Sequence, residues 1–301
     1  MSDVQAMTPV SDGRVKSVIQ DYLALTKPGI MTLLLVTTLG GMLIAQAGVP
    51  DLGLVIVTLL GGFLSAGGAN VLNCYIDRDI DAQMTRTRNR GTASGRISPA
   101  AAMIFGIALT AGGFLLLGLA VNWLAAGLSL AGNLFYVFVY TLWLKRRTPH
   151  NIVIGGAAGA VPPMVGWAAV TGTLGAPAWI LFAIIFYWTP PHFWSLALLK
   201  AGDYGRAHVP MLPNVSGEAE TRRQIVLYTV LLTAVSFLLV PFGMSWIYVA
   251  GAAALNGWFL YLVWQLFKDP SKARARTSFF YSIWYLAGMF AVMVADRMVL
   301  S

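Results

Sequence analysis

The sequence is organised as long apolar stretches separated by short polar loops. Nine stretches of roughly 20 residues are dominated by apolar side chains, and each is long enough to cross the ~30 Å hydrocarbon core of a bilayer as a helix. Their approximate bounds are 28–48, 53–73, 99–120, 123–143, 151–171, 177–198, 225–242, 245–266 and 278–298. The pattern predicts an all-α polytopic membrane protein with nine transmembrane helices. Residues 1–27 would form an N-terminal segment and 28–301 one membrane domain.

The charged residues indicate how this bundle is oriented. The net charge of +8 would suggest a nucleic-acid partner in a soluble protein, but in the nine-span topology nineteen of the twenty Lys and Arg residues fall on one side. Only Arg297 lies on the other side. Basic residues concentrate in cytoplasmic loops, so we expect a cytoplasmic N-terminus, a C-terminus on the opposite side and no nucleic-acid partner. Residues 1–27 lack the features of a signal or transit peptide, which favours a bacterial inner (plasma) membrane.

Candidate chemistry lies on the basic side, because the loops on the other side are too short to house it. Two long polar loops, 74–98 and 199–224, follow the second and sixth spans on the basic side. The lone Cys74 excludes an intramolecular disulfide and a multi-cysteine metal site. We therefore expect the functional face to be cytoplasmic.

Four oxygen-bearing side chains repeat at helical spacing where the second span ends. At 100° per residue, Asn70, Asn73, Asp77 and Asp81 project at about 0°, 300°, 340° and 20°, whereas Asp79 points about 180° away. Carboxylates one turn apart suit Mg²⁺, which retains waters and bridges carboxylates to substrate phosphates. The alternative is an ordinary solvated helix end. Since acids near the hydrocarbon are costly and usually functional, we favour Asp77 and Asp81 as magnesium ligands.

Basic residues close to this motif are candidates for holding a diphosphate. Arg86 and Arg90 lie four apart, and guanidinium groups bind phosphate oxygens in pairs. Lys27 and Lys145, at the ends of spans, are weaker candidates. The alternative for all four is anchoring of the loops on the cytoplasmic side.

The second polar loop and the span before it provide further candidates. Asp203 is a possible ligand of a second magnesium ion. Pro190 and Pro191 are expected to break or kink the sixth span and so to line a cavity. We favour a cavity-facing His192 over a hydrogen-bonded packing histidine. Aromatic residues such as Tyr136 and Tyr140 could stabilise an allylic cation, although most aromatic residues are expected to pack.

These motifs together resemble a known family. The nine spans and the pattern Asn73-xxx-Asp77-xxx-Asp81 are similar to the intramembrane aromatic prenyltransferase superfamily typified by 4-hydroxybenzoate polyprenyltransferase. Within it, several runs resemble the heme-farnesylating branch, the protoheme IX farnesyltransferases or heme O synthases. They are Leu25 to Pro28, Asn73 to Arg90, Tyr140-Thr141 with Leu144 to Arg146, Asn151 to Gly156, Trp188 to Trp194 and Asp203-Tyr204. One departure is Ala207, which stands where a second acid of a DxxxD motif would lie.

The resemblance implies a reaction and a set of site residues. A farnesyl group would pass from farnesyl diphosphate to the vinyl group of heme B with addition of water, giving heme O and pyrophosphate, with Mg²⁺ as cofactor. The partners would be the lipid bilayer and a downstream heme A synthase. The expected site comprises catalytic Asn73, Asp77, Asp81 and Asp203, with Asp77, Asp81 and Asp203 on metal, diphosphate-binding Asn70, Arg86, Arg90, Lys27, Lys145 and Lys200, and heme-binding His192 and Tyr204.

Two other functions remain open at this point. An enzyme of the same superfamily could use a quinone precursor or chlorophyllide as acceptor. A secondary transporter also uses broken helices and intramembrane polar residues, but its sites lie near the bilayer midplane. Here the acids cluster at one membrane face, which favours the enzyme.

Overall fold

A computed structural model of the chain describes residues 12–299, with side chains described from residue 18 onward. Within that range the chain is helical and contains no strand. Arg14 and Lys16, counted above among the basic residues of the cytoplasmic side, lie outside the described side chains. The helices are α1 (Asp12–Leu25), α2 (Pro28–Gln46), α3 (Leu52–Ile76), α4 (Arg78–Gln83), α5 (Pro99–Ala120), α6 (Trp123–Leu134), α7 (Asn151–Ala160), α8 (Pro162–Thr171), α9 (Ala176–Arg206), α10 (Leu212–Val215), α11 (Gly217–Ser236), α12 (Trp246–Lys268) and α13 (Lys272–Val299).

Two of these helices continue in another helical form. α6 runs on as a π-helix, Phe135–Leu144, and α11 as a 3₁₀ helix, Phe237–Phe242. Between residues 12 and 299, nine helical segments are long and apolar enough to cross a membrane. They are Pro28–Gln46, Leu52–Ile76, Pro99–Ala120, Trp123–Leu144, Asn151–Thr171, Ala176–Arg206, Gly217–Phe242, Trp246–Lys268 and Lys272–Val299. The predicted nine-span helical bundle is confirmed.

The bundle carries apolar side chains on its outer surface and encloses polar ones. Leu119, Trp246 and Trp284 are each more than 70% exposed, as expected for residues that face lipid. Asn70, Asp77 and Asp81 are each no more than 6% exposed. Because burying carboxylates is unfavourable unless they are paired or bind a cation, the interior at this end must supply partners.

Glycines allow several helices to pack at close range. A Cβ atom on Gly113 of α5 would lie 2.7 Å from the Gly61 carbonyl oxygen of α3. A Cβ atom on Gly166 of α8 would lie 2.0 Å from the Thr38 carbonyl oxygen of α2. In a bilayer, where helices gain little from the hydrophobic effect, such close backbone approach is a main source of association.

Of the predicted break or kink at Pro190 and Pro191, the break is absent from the structure, and a kink at the prolines stays a prediction. Helix α9 runs through both prolines, and its non-helical backbone is at Lys200, with φ −119° and ψ 16°. Both prolines are buried in the bundle, where α9 packs against α7, α11 and α13. Transmembrane helices tolerate proline where neighbouring helices hold the segment in place. The kink at Lys200 instead redirects the C-terminal end of α9, which carries Asp203.

The N-terminal helix α1 docks onto the membrane domain. Asp21 accepts two hydrogen bonds from the Arg96 guanidinium, at 2.7 and 2.8 Å. The Tyr22 ring meets the Phe105 ring edge-on, with centroids 5.0 Å apart. These contacts place the turn at residues 26–27 against the polar end of α3. The domain boundary at residue 27 stays a prediction.

Candidate active site

The predicted acidic face exists at the C-terminal end of α3. Helix α3 ends at Ile76, yet the amide of Asp81 donates to the Asp77 carbonyl at 2.7 Å, so the helical register continues into α4. Asn70, Asn73, Asp77 and Asp81 are 6%, 3%, 0% and 3% exposed, whereas the Asp79 side chain is 57% exposed. The structure thus brings these four side chains to one inward face and places Asp79 outside it.

Each buried acid is paired with a base from elsewhere in the chain. The Lys145 ammonium contacts Asp77 Oδ2, and Arg90 contacts Asp81 Oδ2 at 2.7 Å. Arg90 is able to do so because residues 85–95 form turns rather than a helix. Arg86 remains exposed. Of the two arginines predicted to clamp a diphosphate, one already points into the site and the other lies at its rim.

Asn73 connects three elements of the site. Its Nδ2 donates to Asp77 Oδ2 at 2.7 Å and to Thr141 Oγ1 at 3.0 Å. Its Oδ1 accepts from Lys27 Nζ at 2.7 Å. All the hydrogen-bonding capacity of the amide nitrogen is therefore used, and Asn73 is held in one orientation.

Lys27 occupies a strained turn between α1 and α2. Its φ of 57° and ψ of 61° lie in the left-handed region, which is uncommon for a residue other than glycine. Asn70 Nδ2 donates to the Thr26 carbonyl at 3.0 Å and holds this turn against α3. Asn70, predicted to contact a diphosphate, therefore anchors the segment that carries Lys27. Burial of the ammonium in this cleft lowers the pKa of Lys27 below its usual value.

One oxygen of the acidic face has no partner. Asp77 Oδ1 is buried and accepts no hydrogen bond, and its ion-pair neighbour Arg146 stands 3.7 Å away, beyond hydrogen-bond range. A buried carboxylate oxygen without a partner is unfavourable unless a cation or ligand satisfies it. Together with the carboxylate of Asp81, this oxygen fits a hard cation that completes its shell with water and phosphate oxygens.

The second polar loop approaches the first without completing a protein-only metal cage. Arg206 is paired with Asp203 and donates to Thr85 Oγ1 at 3.1 Å, which links the two loops. Tyr204 is half-buried, and Lys200 is exposed at the kink in α9. Within the described residues, no group of three or more His, Cys, Asp or Glu side chains is placed to hold a metal. Asp203 is thus near the site but is not gathered with Asp77 and Asp81.

The π-helix supplies Thr141, which was not among the predicted site residues, and brings it together with the predicted candidates Tyr136, Tyr140 and Lys145. Thr141 bonds to Asn73, and the Lys145 amide donates to the Tyr140 carbonyl at 2.8 Å in an i to i−5 bond. The rings of Tyr136 and Tyr140 stack with centroids 5.4 Å apart. A Cβ atom on Gly155 would lie 2.3 Å from the Tyr140 ring. Because π-helices often occur at functional sites, this segment is a second wall of the site.

Arg146 and Asp79 form an outer ion pair that was also not predicted. The Arg146 guanidinium bonds to both Asp79 oxygens at 2.7 and 2.8 Å and to the Ile76 carbonyl at 3.1 Å. These hydrogen bonds keep the pKa of Asp79 below its usual value. Asp79 therefore serves to position Arg146 over the end of α3.

His192 lies in an aromatic stack between α9 and α13. Its ring stacks on Trp188 at 4.5 Å and on Phe279 at 4.8 Å between centroids. Its Nδ1 lies 2.7 Å from Ser282 Oγ, whose own hydrogen goes to the Phe279 carbonyl at 2.6 Å. The network therefore assigns the proton to Nδ1 and leaves a lone pair on Nε2. The ring is packed rather than open to a cavity as expected, but its Nε2 edge bonds to no described residue.

Sequence comparison gives close relatives of this chain. Protoheme IX farnesyltransferase of Gloeobacter violaceus is 51% identical over 289 residues, which cover 95% of this chain and 95% of the relative. Protoheme IX farnesyltransferase of a Roseiflexus species is 52% identical over 284 residues, which cover 94% of this chain but 53% of the relative. The chain spans about half the length of this relative and of the Chloroflexus aurantiacus one, of which 49% is covered.

Structure comparison and a family model give a consistent result. A solved structure of digeranylgeranylglyceryl phosphate synthase superposes with a TM-score of 0.78 at 20% identity, over 94% of this chain and 99% of that one. A UbiA homologue from Archaeoglobus fulgidus, bound to GPP and Mg²⁺, superposes with a TM-score of 0.65 at 16% identity, over 91% and 99%. Both show the fold. The model of the UbiA prenyltransferase family matches residues 34–286, and the chain belongs to that family.

Proposed function

We propose that this protein transfers the farnesyl group of farnesyl diphosphate to a vinyl group of heme B, with addition of water, to give heme O and pyrophosphate. The observation that carries the transferase assignment is the buried face of Asn73, Asp77 and Asp81, in which Asp77 Oδ1 has no hydrogen-bond partner. The acceptor is proposed from the relatives named protoheme IX farnesyltransferase.

The diphosphate is proposed to bind between the acidic face and the bases around it. Lys27, Lys145 and Arg90 already contact members of that face, and the exposed Arg86 at the rim would turn inward to join them. Such bases would share their charge between the carboxylates and the phosphate oxygens. Asp77 and Asp81 would hold Mg²⁺, and the bound ion would supply Lewis-acid stabilisation of the diphosphate charge. Once the Asp203–Arg206 ion pair opens, Asp203 would bind the metal and Lys200 would bind the diphosphate from the side of the second loop.

The reaction begins with heterolysis of the bond between C1 of the farnesyl chain and the diphosphate oxygen. The electron pair leaves with pyrophosphate, and Lys27, Lys145 and Arg90 stabilise the charge that develops there. The stacked Tyr136 and Tyr140 rings offer their π faces to the allylic cation. The low-water interior of the bundle protects the cation from premature hydrolysis. The vinyl group then forms the new carbon–carbon bond, water adds to the resulting cation, and a proton is released.

His192 is proposed to bind heme through Nε2. The Nδ1–H donated to Ser282 leaves Nε2 as a lone-pair donor, the form in which histidine ligates metals. The Trp188 and Phe279 rings fix the plane of the imidazole. Tyr204, half-buried near the second loop, would contact the acceptor at the cytoplasmic end.

We also propose where in the cell this protein lies. The nine spans make the chain a multi-pass membrane protein. We place it in a bacterial inner membrane, with residues 1–27 and the active face cytoplasmic, because basic residues cluster at that end of the bundle. A heme A synthase that accepts the product is proposed as a downstream partner.

The experiment that tests the acceptor offers the purified protein three compounds in parallel. Farnesyl diphosphate and Mg²⁺ are supplied with heme B, with 4-hydroxybenzoate or with chlorophyllide. The products are separated and identified by mass spectrometry. We expect a farnesylated product from heme B and no product from the others. Prenylation of 4-hydroxybenzoate or chlorophyllide in place of heme B would rule out heme B as the acceptor, and the assignment as a prenyltransferase would stand. The absence of pyrophosphate release with every acceptor would favour the transporter alternative.

A further inference from the structure

The outer surface of α12 and α13 contains a groove away from the acidic face. It has a volume of about 430 Å³ and is lined mainly by Trp258, Leu262, Tyr281 and Trp284, with Arg276 at one end. Trp258 and Trp284 are 54% and 73% exposed, so the groove opens to the surroundings of the bundle.

The groove runs from the basic end of the bundle toward its middle. Arg276 lies one turn after α13 begins at Lys272. Trp284 lies eight residues further along α13, or about 12 Å at 1.5 Å per residue. Tryptophans on lipid-facing surfaces concentrate at the membrane interface. The two exposed indoles at this depth give the groove apolar walls that an acyl chain can contact.

The basic residues at the Arg276 end of the groove favour a ligand with an anionic headgroup. Lys268, Lys272, Arg274 and Arg276 surround the α12–α13 turn, and Asp269, the acid of that turn, pairs with Arg274 at 3.3 Å. Arg276 forms no ion pair with a described carboxylate, and its guanidinium lies 5.6 Å from the Phe280 ring centroid. A basic group at the interface above an apolar channel matches a phosphate joined to an acyl chain.

We propose that this groove is a binding site for one anionic phospholipid, with its phosphate on Arg276 and an acyl chain along Trp258 and Trp284. A second copy of the chain fits less well, because a symmetric contact would bring two sets of these four basic residues together. A zwitterionic lipid would leave the excess positive charge unpaired. The site is separate from the prenyl transfer reaction and does not depend on the proposed function.

Native mass spectrometry of the full-length protein in detergent tests the proposal. The delipidated protein is titrated with dioleoylphosphatidylglycerol and, separately, with dioleoylphosphatidylcholine. We expect one phosphatidylglycerol to bind in preference to phosphatidylcholine. Arg276→Gln should weaken phosphatidylglycerol binding about fivefold, the effect of one interfacial basic residue, and Trp284→Ala should weaken both lipids. Thermal unfolding of each variant confirms that it is folded.

Arg274→Gln is the matched control, since Arg274 belongs to the same basic turn but does not line the groove. It should leave the first binding step within about twofold of the wild type. Equal weakening by Arg274→Gln and Arg276→Gln would overturn the proposal in favour of diffuse surface charge. Displacement of phosphatidylglycerol by farnesyl diphosphate, or a dimer that Trp284→Ala dissociates, would assign the groove to a different occupant and would equally overturn it.

Discussion

Lys27 Nζ donates a hydrogen bond to Asn73 Oδ1 at 2.7 Å and so joins the turn before the first span to the acidic end of the second. The contact is long-range in sequence and is made from a left-handed backbone conformation. Strain of this kind persists where the surrounding structure fixes it, often at functional sites. Lys27 thus stands out among the basic residues as one whose position is built into the fold.

Lys27 should give the activity an alkaline limit. Its pKa lies below the usual 10.5 because burial disfavours the charged ammonium, an effect that Asp77 and Asp81 partly offset. The ammonium is charged below its pKa and neutral above it. We expect kcat/KM for farnesyl diphosphate to fall as the pH rises through this lowered pKa, before 10.5 is reached. Lys27→Arg should remove that limit, because arginine stays protonated. An identical alkaline limb in both proteins would assign it to another group.

Substitution of the buried acids Asp77 and Asp81 should lower activity far more than substitution of Asp79. Asp77→Asn and Asp81→Asn should each lower kcat/KM by about 100-fold or more, as loss of a preorganised electrostatic group does. Asp79→Asn should change it by only about fivefold or less, since an exposed ion pair contributes about 0–1 kcal/mol. Initial rates of pyrophosphate release measure all three. Comparable losses for Asp79→Asn and Asp77→Asn would contradict the assignment of the inward face.

Substitution of His192 should weaken heme binding and leave the binding of farnesyl diphosphate unchanged. His192→Phe retains a ring between Trp188 and Phe279 but removes Nε2. We expect heme affinity, followed by the Soret absorbance during titration, to fall at least about tenfold, in the range for loss of a metal-site partner. KM for farnesyl diphosphate should be unchanged. Ser282→Ala, which removes the Nδ1 partner, should give a smaller loss. Unaltered heme binding in His192→Phe would leave this histidine a packing residue.

Two adjacent glycines of α5 offer a matched test of close helix packing. A Cβ atom on Gly113 would lie 2.6 Å from the Ser65 amide nitrogen, whereas one on Gly112 would meet nothing within 4 Å. Gly113→Ala should therefore destabilise the protein by about 1–3 kcal/mol through overpacking. Gly112→Ala should be neutral or stabilising by about 0.5–1 kcal/mol, since alanine favours helix. Thermal unfolding in detergent compares the two. Equal effects would mean that α3 and α5 adjust to the added methyl group.

The sequence predicted the parts of the structure that depend on local periodicity. The nine spans follow from apolar stretches of membrane length. The inward face of Asn70, Asn73, Asp77 and Asp81 follows from the 3.6-residue repeat, which survives the change of helix at Asp77 because the Asp81 amide still bonds to the Asp77 carbonyl.

Features that depend on distant contacts were not visible in the sequence. The proline pair was expected to break α9, but its buried surroundings keep it helical. The partner of His192 is Ser282, ninety residues away, and nothing local indicates their contact. The π-helix likewise has no period that distinguishes Phe135–Leu144 from an ordinary apolar span.

We propose that the buried face of Asn73, Asp77 and Asp81 supports metal-dependent farnesyl transfer to heme B. The most direct measurement is mass spectrometry of heme extracted after the purified protein is incubated with heme B, farnesyl diphosphate and Mg²⁺ in oxygen-18 water, beside an EDTA control and Asp77→Asn. We expect a farnesylated hydroxyethyl heme that carries one oxygen-18 atom and is absent from both controls. Unchanged heme in the complete reaction, or the same product in the EDTA control or from Asp77→Asn, would overturn this assignment.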